Sequence, residues 1–174
     1  MGKGLIRSTS RGSALRQEIV KQTFKVSALA MTVNGASGVG FGSAVIGALP
    51  EGNILLLGAV AYLGFAGPGG NEGLVDTWNG DFGVGTTPAS DATIAGTDID
   101  IIGSTPTTVA VAEVAPRTRG VGVTATNGAV LDNTAGTLEV NVSLLVDDAD
   151  ISADAIAFVV AGEVHLSYVM LGDD

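Results

Sequence analysis

At 174 residues and 46% apolar side chains the chain has the size and composition of one folded domain with a real core. Its 26 glycines, which follow no three-residue period, exclude collagen and disfavour long helices. It has no cysteine and a single histidine, His165, which excludes disulfides, thiolate catalysis and cysteine-held zinc. Charge is divided along the chain: the first 25 residues carry six basic side chains against Glu18, a net +5, whereas the rest carries Arg117 and Arg119 against 17 acids, a net −15.

Residues 1–12 mix basic side chains with Gly, Ser and Thr, a composition expected to be mobile when free. Ser13 is placed to cap a short helix over 14–22, with Leu15, Ile19 and Gln22 on one face. So short a helix needs a surface to lie on. Residues 1–23 therefore read as a basic arm ahead of a body spanning 24–174. In that arm Lys3, Arg7, Arg11 and Arg16 suit an acidic surface, and Leu5, Ile6, Leu15 and Ile19 would add apolar contact.

From Phe24 the period becomes two. Phe24, Val26, Ala28 and Ala30 share one strand face, and Lys25, Ser27, Leu29 and Met31 the other. That alternation leaves Leu29 and Met31 outward, as candidate contacts with a neighbouring subunit or partner. After the turn signals Asn34-Gly35 and Ser37-Gly38, Val39 to Val45 alternate again. Gly35, Gly38, Gly40 and Gly42 imitate a phosphate loop, but neither a lysine nor a helix follows them. They read as glycines at a strand bend or beneath a close backbone crossing.

Pro50-Glu51-Gly52-Asn53 is a hairpin turn into the most apolar strand, 54–65, which is expected to be central. The apolar run 54–66 is too short for a membrane-spanning helix. A loop over 67–73 leads to a short strand around Phe82 and Val84. Residues 88–102 read as a loop with a helical piece near Ser90. The β-branched run 107–114 predicts a strand that ends at Pro116-Arg117-Thr118-Arg119-Gly120, with a short edge strand over 121–126. Arg117 and Arg119 are the only basic charges in the body and are candidates for an ion pair across an interface.

The last two strands, 138–146 and 158–171, alternate most clearly, with Val169 outward as a further candidate contact. Between them Asp148, Asp150, Ser152 and Asp154 have the spacing of half a calcium loop. Ala153 and Val159 occupy the positions where such a loop needs glycine and glutamate, so a solvated acidic turn is expected, with Asp148, Asp150 and Asp154 a weak cation site as the lesser alternative. His165 lies on the polar strand face beside Glu163 and Ser167. Without a Gly-x-Ser-x-Gly elbow it reads as a surface or subunit-contact histidine. Asp98 and Asp100 are paired acids, but the chain has few aromatic surfaces on which a sugar would stack. No enzyme activity and no cofactor are expected, and the net −15 of the body disfavours nucleic acid as a partner. Seven to nine strands with no βα unit predict an all-β fold: an antiparallel two-sheet sandwich, most simply a jelly roll.

Four segments carry a resemblance: Gly38-Val39-Gly40-Phe41-Gly42-Ser43; Leu49-Pro50-Glu51-Gly52-Asn53 entering Ile54-Leu55-Leu56-Leu57-Gly58-Ala59-Val60; Asn79-Gly80-Asp81-Phe82-Gly83-Val84-Gly85-Thr86; and the terminal strand pair. Their order over residues 24–171 resembles the head decoration, or cement, proteins of tailed bacteriophages. The resemblance implies a jelly-roll subunit assembled as a homotrimer on the outer surface of the virion head, after synthesis in the host cytoplasm. It implies the major capsid protein as partner and bridging of neighbouring capsomers; no membrane partner is expected, since no apolar run is long enough to span one. The basic arm would be the capsid anchor, and Leu29, Met31, Arg117, Arg119 and Val169 the contacts with a subunit or the capsid. A tail or head-fibre component, or a carbohydrate-binding module used in host-surface attachment, are the alternatives. Sparse aromatics and an arm set apart from any pocket favour decoration over both.

Overall fold

In the computed structural model the described residues are 18–35, 39–68, 73–107, 111–122, 130–147, 150–152 and 155–172. The described residues form nine strands: β1 (Ile19–Asn34), β2 (Gly40–Ala48), β3 (Gly52–Ala66), β4 (Gly80–Gly85), β5 (Ile102–Pro106), β6 (Val114–Gly122), β7 (Val130–Asn133), β8 (Glu139–Val146) and β9 (Ala155–Gly172). The all-β expectation is met. Every strand pairing is antiparallel, in the order β5-β4-β8-β2-β1-β9-β3-β6, with β7 beside β3. A 3-10 turn, Gly96–Asp98, lies later than the helical piece expected near Ser90.

The sheet curls until its two ends meet, giving a nearly closed barrel. Gly122 on β6 lies so close to β5 that a Cβ there would strike the Ile101 carbonyl. A second tight crossing joins β1 and β2, which share the single registered pair Asn34↔Phe41. There a Cβ on Gly42 would meet the Thr32 carbonyl, so this glycine lies beneath a close backbone crossing as its spacing suggested.

Inside the barrel Trp78, Phe65, Phe82, Phe158, Ile54 and Leu56 are almost fully shielded from water. Trp78 stands edge-on to Phe158 at 5.2 Å, and its indole N–H donates to the Glu113 carbonyl at 3.0 Å. That donor would otherwise be buried unpaired, at a cost of about 1–3 kcal/mol.

Three expectations are corrected. The predicted helix over 14–22 is strand from Ile19 onward: Ile19, Val20, Lys21 and Gln22 pair with Val169, Tyr168, Ser167 and Leu166 of β9. Its first residues lie outside the described part of the chain. Leu29 and Met31 do not face outward. Between Val26↔Gly162 and Leu29↔Val160 the strand carries one extra residue, and Ala28 takes a φ of 51°. This bulge shifts the alternation by one, so that Met31 and Val33 enter the core and Leu29 packs against it. Finally, Pro116 to Gly120 does not end a strand; it is the middle of β6. The register with β3 slips between Leu63 and Phe65, and Pro116 sits at that slip, where its missing N–H breaks no regular ladder. β7, only four residues long, had no strand expectation.

Candidate interaction surface

The outer faces of the two halves of the sheet differ. On β4 and β8 the outer face is roofed by the chain that follows β4. A Cβ on Gly83 would meet the Ile99 side chain, and one on Gly85 would meet the backbone of Thr97 and Asp98. Beneath this roof Asn141 and Ser143 are buried with no hydrogen-bond partner for their side chains among the described residues. Asp100 clamps the roof by accepting the Thr86 N–H at 2.9 Å and the Thr86 hydroxyl at 2.7 Å, and the Thr87 hydroxyl donates to Asp98 at 2.9 Å. Burial, with a smaller push from the Asp98 charge, raises the Asp100 carboxyl above the ordinary range in spite of those hydrogen bonds.

On β1, β9, β3 and β6 no such roof is formed by the described residues. Strand register assembles it in rows. One row runs Lys25, Glu163, Tyr62, Arg119; the next runs Thr23, His165, Val60, Val121; and Lys21, Ser167 and Gly58 follow. Arg117 lies beside Gly64 on the same face, and Ala30, Val159, Ala66 and Val114 form a row toward the far end. Exposed apolar side chains lie among them: Tyr62, Val114, Val121 and Val159 are each between 38% and 57% accessible. Lys21, Lys25, Arg117 and Arg119 are all the basic residues of the described chain, and all four are exposed on this face. Glu163 is the acid within these rows.

At the centre of the face His165 Nε2 lies 3.3 Å from Glu163 Oε1, and Nδ1 lies 3.0 Å from the Thr23 hydroxyl. A proton on Nε2 serves Glu163 and leaves Nδ1 to accept from Thr23. The Tyr62 ring stands edge-on to the imidazole at 6.4 Å. His165 is therefore held by one neighbour at each ring nitrogen, on the polar row where the alternation put it.

The remaining expected contact residues are dispersed. Val169 occupies an outward register position between Ile19 and Leu55, yet it is only 7% accessible, so it is covered within the subunit rather than offered to a partner. Ile19 is 60% accessible at the start of β1. Lys3, Leu5, Ile6, Arg7, Arg11, Leu15 and Arg16 lie outside the described residues, as do Asp148 and Asp154 of the acidic turn. Asp150 of that turn accepts the Asn79 N–H at 2.8 Å. Among the described residues no three His, Cys, Asp or Glu side chains are grouped to hold a metal.

Sequence reasoning missed the joining of Lys21 and Lys25 with Arg117 and Arg119. On sequence alone Lys21 falls in the arm, Lys25 on a strand face of the body, and Arg117 and Arg119 in a segment that ends a different strand. The signal available was the alternation of Lys21, Thr23 and Lys25, which continues the strand backward from Phe24. No protein-family model matches this chain, and no curated protein matches it.

Proposed function

We propose that this chain is a virion structural protein: a decoration, or cement, protein that binds the outer surface of a tailed-phage head and ties neighbouring capsomers together. It acts as a homo-oligomer, a trimer by the resemblance, and its partner is the major capsid protein. The observation that carries the reading is the asymmetry of the sheet. One outer face is roofed by its own chain; the other has no such roof from the described residues and is apolar and basic on a protein that is otherwise acidic. Exposed apolar faces of this extent mark protein contacts.

The body is read as a jelly-roll sandwich. With β7 set aside, the strand order divides at the two tight crossings into β1-β9-β3-β6 and β2-β8-β4-β5. That succession has the double Greek-key form of a jelly roll. The basic segment before β1 supplies the attachment to the head, with Lys3, Arg7, Arg11 and Arg16 meeting an acidic shell and Leu5, Ile6 and Leu15 adding a salt-insensitive part.

Because β1 starts at Ile19, a clean truncation ends at residue 17; cutting to residue 22 would also remove four registered pairs with β9. Deleting residues 2–17 should leave a folded oligomer that no longer coats heads. Four exposed pairs at roughly 0.5–1 kcal/mol each amount to about 2–4 kcal/mol, at least tenfold in affinity. Co-sedimentation with undecorated expanded heads reads this out. A truncated chain that pellets as the full chain does would move the anchor into the β-body.

A further inference from the structure

We propose that the unroofed face of β1, β9, β3 and β6 is one half of a head-to-tail contact with a second copy of this chain, whose acidic end around Asp81, Asp147 and Asp150 is the other half. This rests on the reading of the chain as a homo-oligomer and is independent of its binding to heads.

The face states what its partner must be. Its rim is basic, with Lys21 and Lys25 on one side and Arg117 and Arg119 on the other; between them lie Glu163 and His165 on β9 and Val60 and Tyr62 on β3, with Val121 beside Arg119 on β6. Among the described residues none of Lys21, Lys25, Arg117 and Arg119 forms an ion pair, so none of the four basic side chains is neutralised there. Two such faces cannot pair with each other, because like charges would be set opposite one another and desolvated together. A twofold contact through this face is thereby disfavoured. The partner surface has to be acidic with an apolar component.

The same chain carries that surface. Asp81 on β4 and Asp147 and Asp150 beyond β8 gather at one end of the barrel, where the Asp147 N–H donates to the Asn79 carbonyl and Asp150 accepts the Asn79 N–H. No basic side chain among the described residues forms an ion pair with any of the three. Burial raises the Asp147 carboxyl, and the Asp81 and Asp150 charges raise it further, a repulsion that an arriving guanidinium or ammonium would relieve. Beside these acids an open hollow is lined by Leu74, Val75, Asp76 and Ser152, which provides apolar wall and a further carboxylate.

Size is adequate as well. Four strands about 4.8 Å apart over some ten residues of about 3.3 Å rise give a face on the order of 600 Å², within reach of the roughly 800 Å² per partner of a standard interface. A contact between two different surfaces repeats from copy to copy and closes into a ring when the rotation permits. A trimer is the smallest such ring.

The test uses charge reversal in the full chain, read by light scattering on a sizing column at tens of micromolar protein. Lys25→Glu/Arg119→Glu reverses the basic face, and Asp81→Lys/Asp147→Lys reverses the acidic end; all four sites are solvent-accessible, and circular dichroism checks that each variant keeps its strand signal. The wild-type chain should run as an oligomer that loses mass as salt is raised. Each variant alone should run at the mass of one subunit. Mixed in equal amounts they should associate again, but into pairs or other even-numbered assemblies and not trimers, because only contacts between unlike variants match in charge and three subunits cannot alternate. A monomeric wild-type chain, a variant that keeps the wild-type mass, or a mixture that stays monomeric would overturn the proposal. None of those outcomes bears on head binding, which the co-sedimentation experiment reads separately.

Discussion

Met31→Asp should leave a chain that does not fold, while Ala30→Asp, one residue earlier, should leave it folded and soluble. Met31 is 2% accessible inside the barrel, and Ala30 is exposed opposite Val159 on the unroofed face. Removing the methionine side chain from a core costs about 2–5 kcal/mol, and a carboxylate put in its place adds several more unless it takes up a proton. The total approaches the roughly 5–15 kcal/mol that holds a whole domain together. At Ala30 the change stays within about 1 kcal/mol, the spread of strand propensities at an exposed position. Soluble yield and urea unfolding of the two variants decide the matter. The opposite ranking would mean that the bulge at Ala28 does not shift the alternation of β1.

Trp78→Ala should be nearly as damaging, lowering the free energy of unfolding by about 3–5 kcal/mol through lost burial and the cavity left behind. The side chain is fully buried against Phe158. Its indole N–H is one of two donors to the Glu113 carbonyl; the other is the Gly67 N–H at 3.0 Å, which the variant keeps. The loss is therefore mainly one of packing, and Trp78→Phe should recover more than half of it. Urea midpoints give the answer, provided that the slope with denaturant is unchanged, so that the shift reports stability and not the extent of the unfolded chain. Equal losses for the two variants would instead assign the effect to the missing N–H.

The strands legible in the sequence were those whose pattern is local. β2, β8 and β9 alternate between turn residues and β3 is an apolar run between them, and the expectation for each lies close to the observed span. The misreadings share a cause, which is pairing with a distant partner. Residues 19–22 satisfy a helical spacing through Leu15, Ile19 and Gln22 as well as a strand alternation, and β9, more than 140 residues later, selects the strand. The bulge at Ala28 is fixed by the same partner and reverses the parity of Leu29 and Met31. Pro116 would break a central ladder, but β6 is at the end of the pairing order and has slipped register there. The unroofed face was illegible for the same reason. Lys25 and Arg119 lie far apart in sequence, and they share a row because β9 and β3 lie between β1 and β6.

The charge division visible along the sequence is thus of two kinds in space. The four basic residues at 3, 7, 11 and 16 precede β1, whereas Lys21 and Lys25 belong to the sheet and join Arg117 and Arg119. In the proposed function these are separate tools. The leading segment attaches to the head, and the sheet face joins one subunit to the next. A coat formed in this way shares its load among subunits, so that attachment at one point is reinforced by its neighbours.

The most direct measurement is an electron cryomicroscopy reconstruction of undecorated expanded heads after incubation with the purified full-length chain. A decoration protein gives new density on the outer surface, repeated with the symmetry of the shell, lying across junctions between capsomers and large enough for the nine-stranded body. Density confined to the tail or to fibres, or heads unchanged at saturating protein, would contradict it.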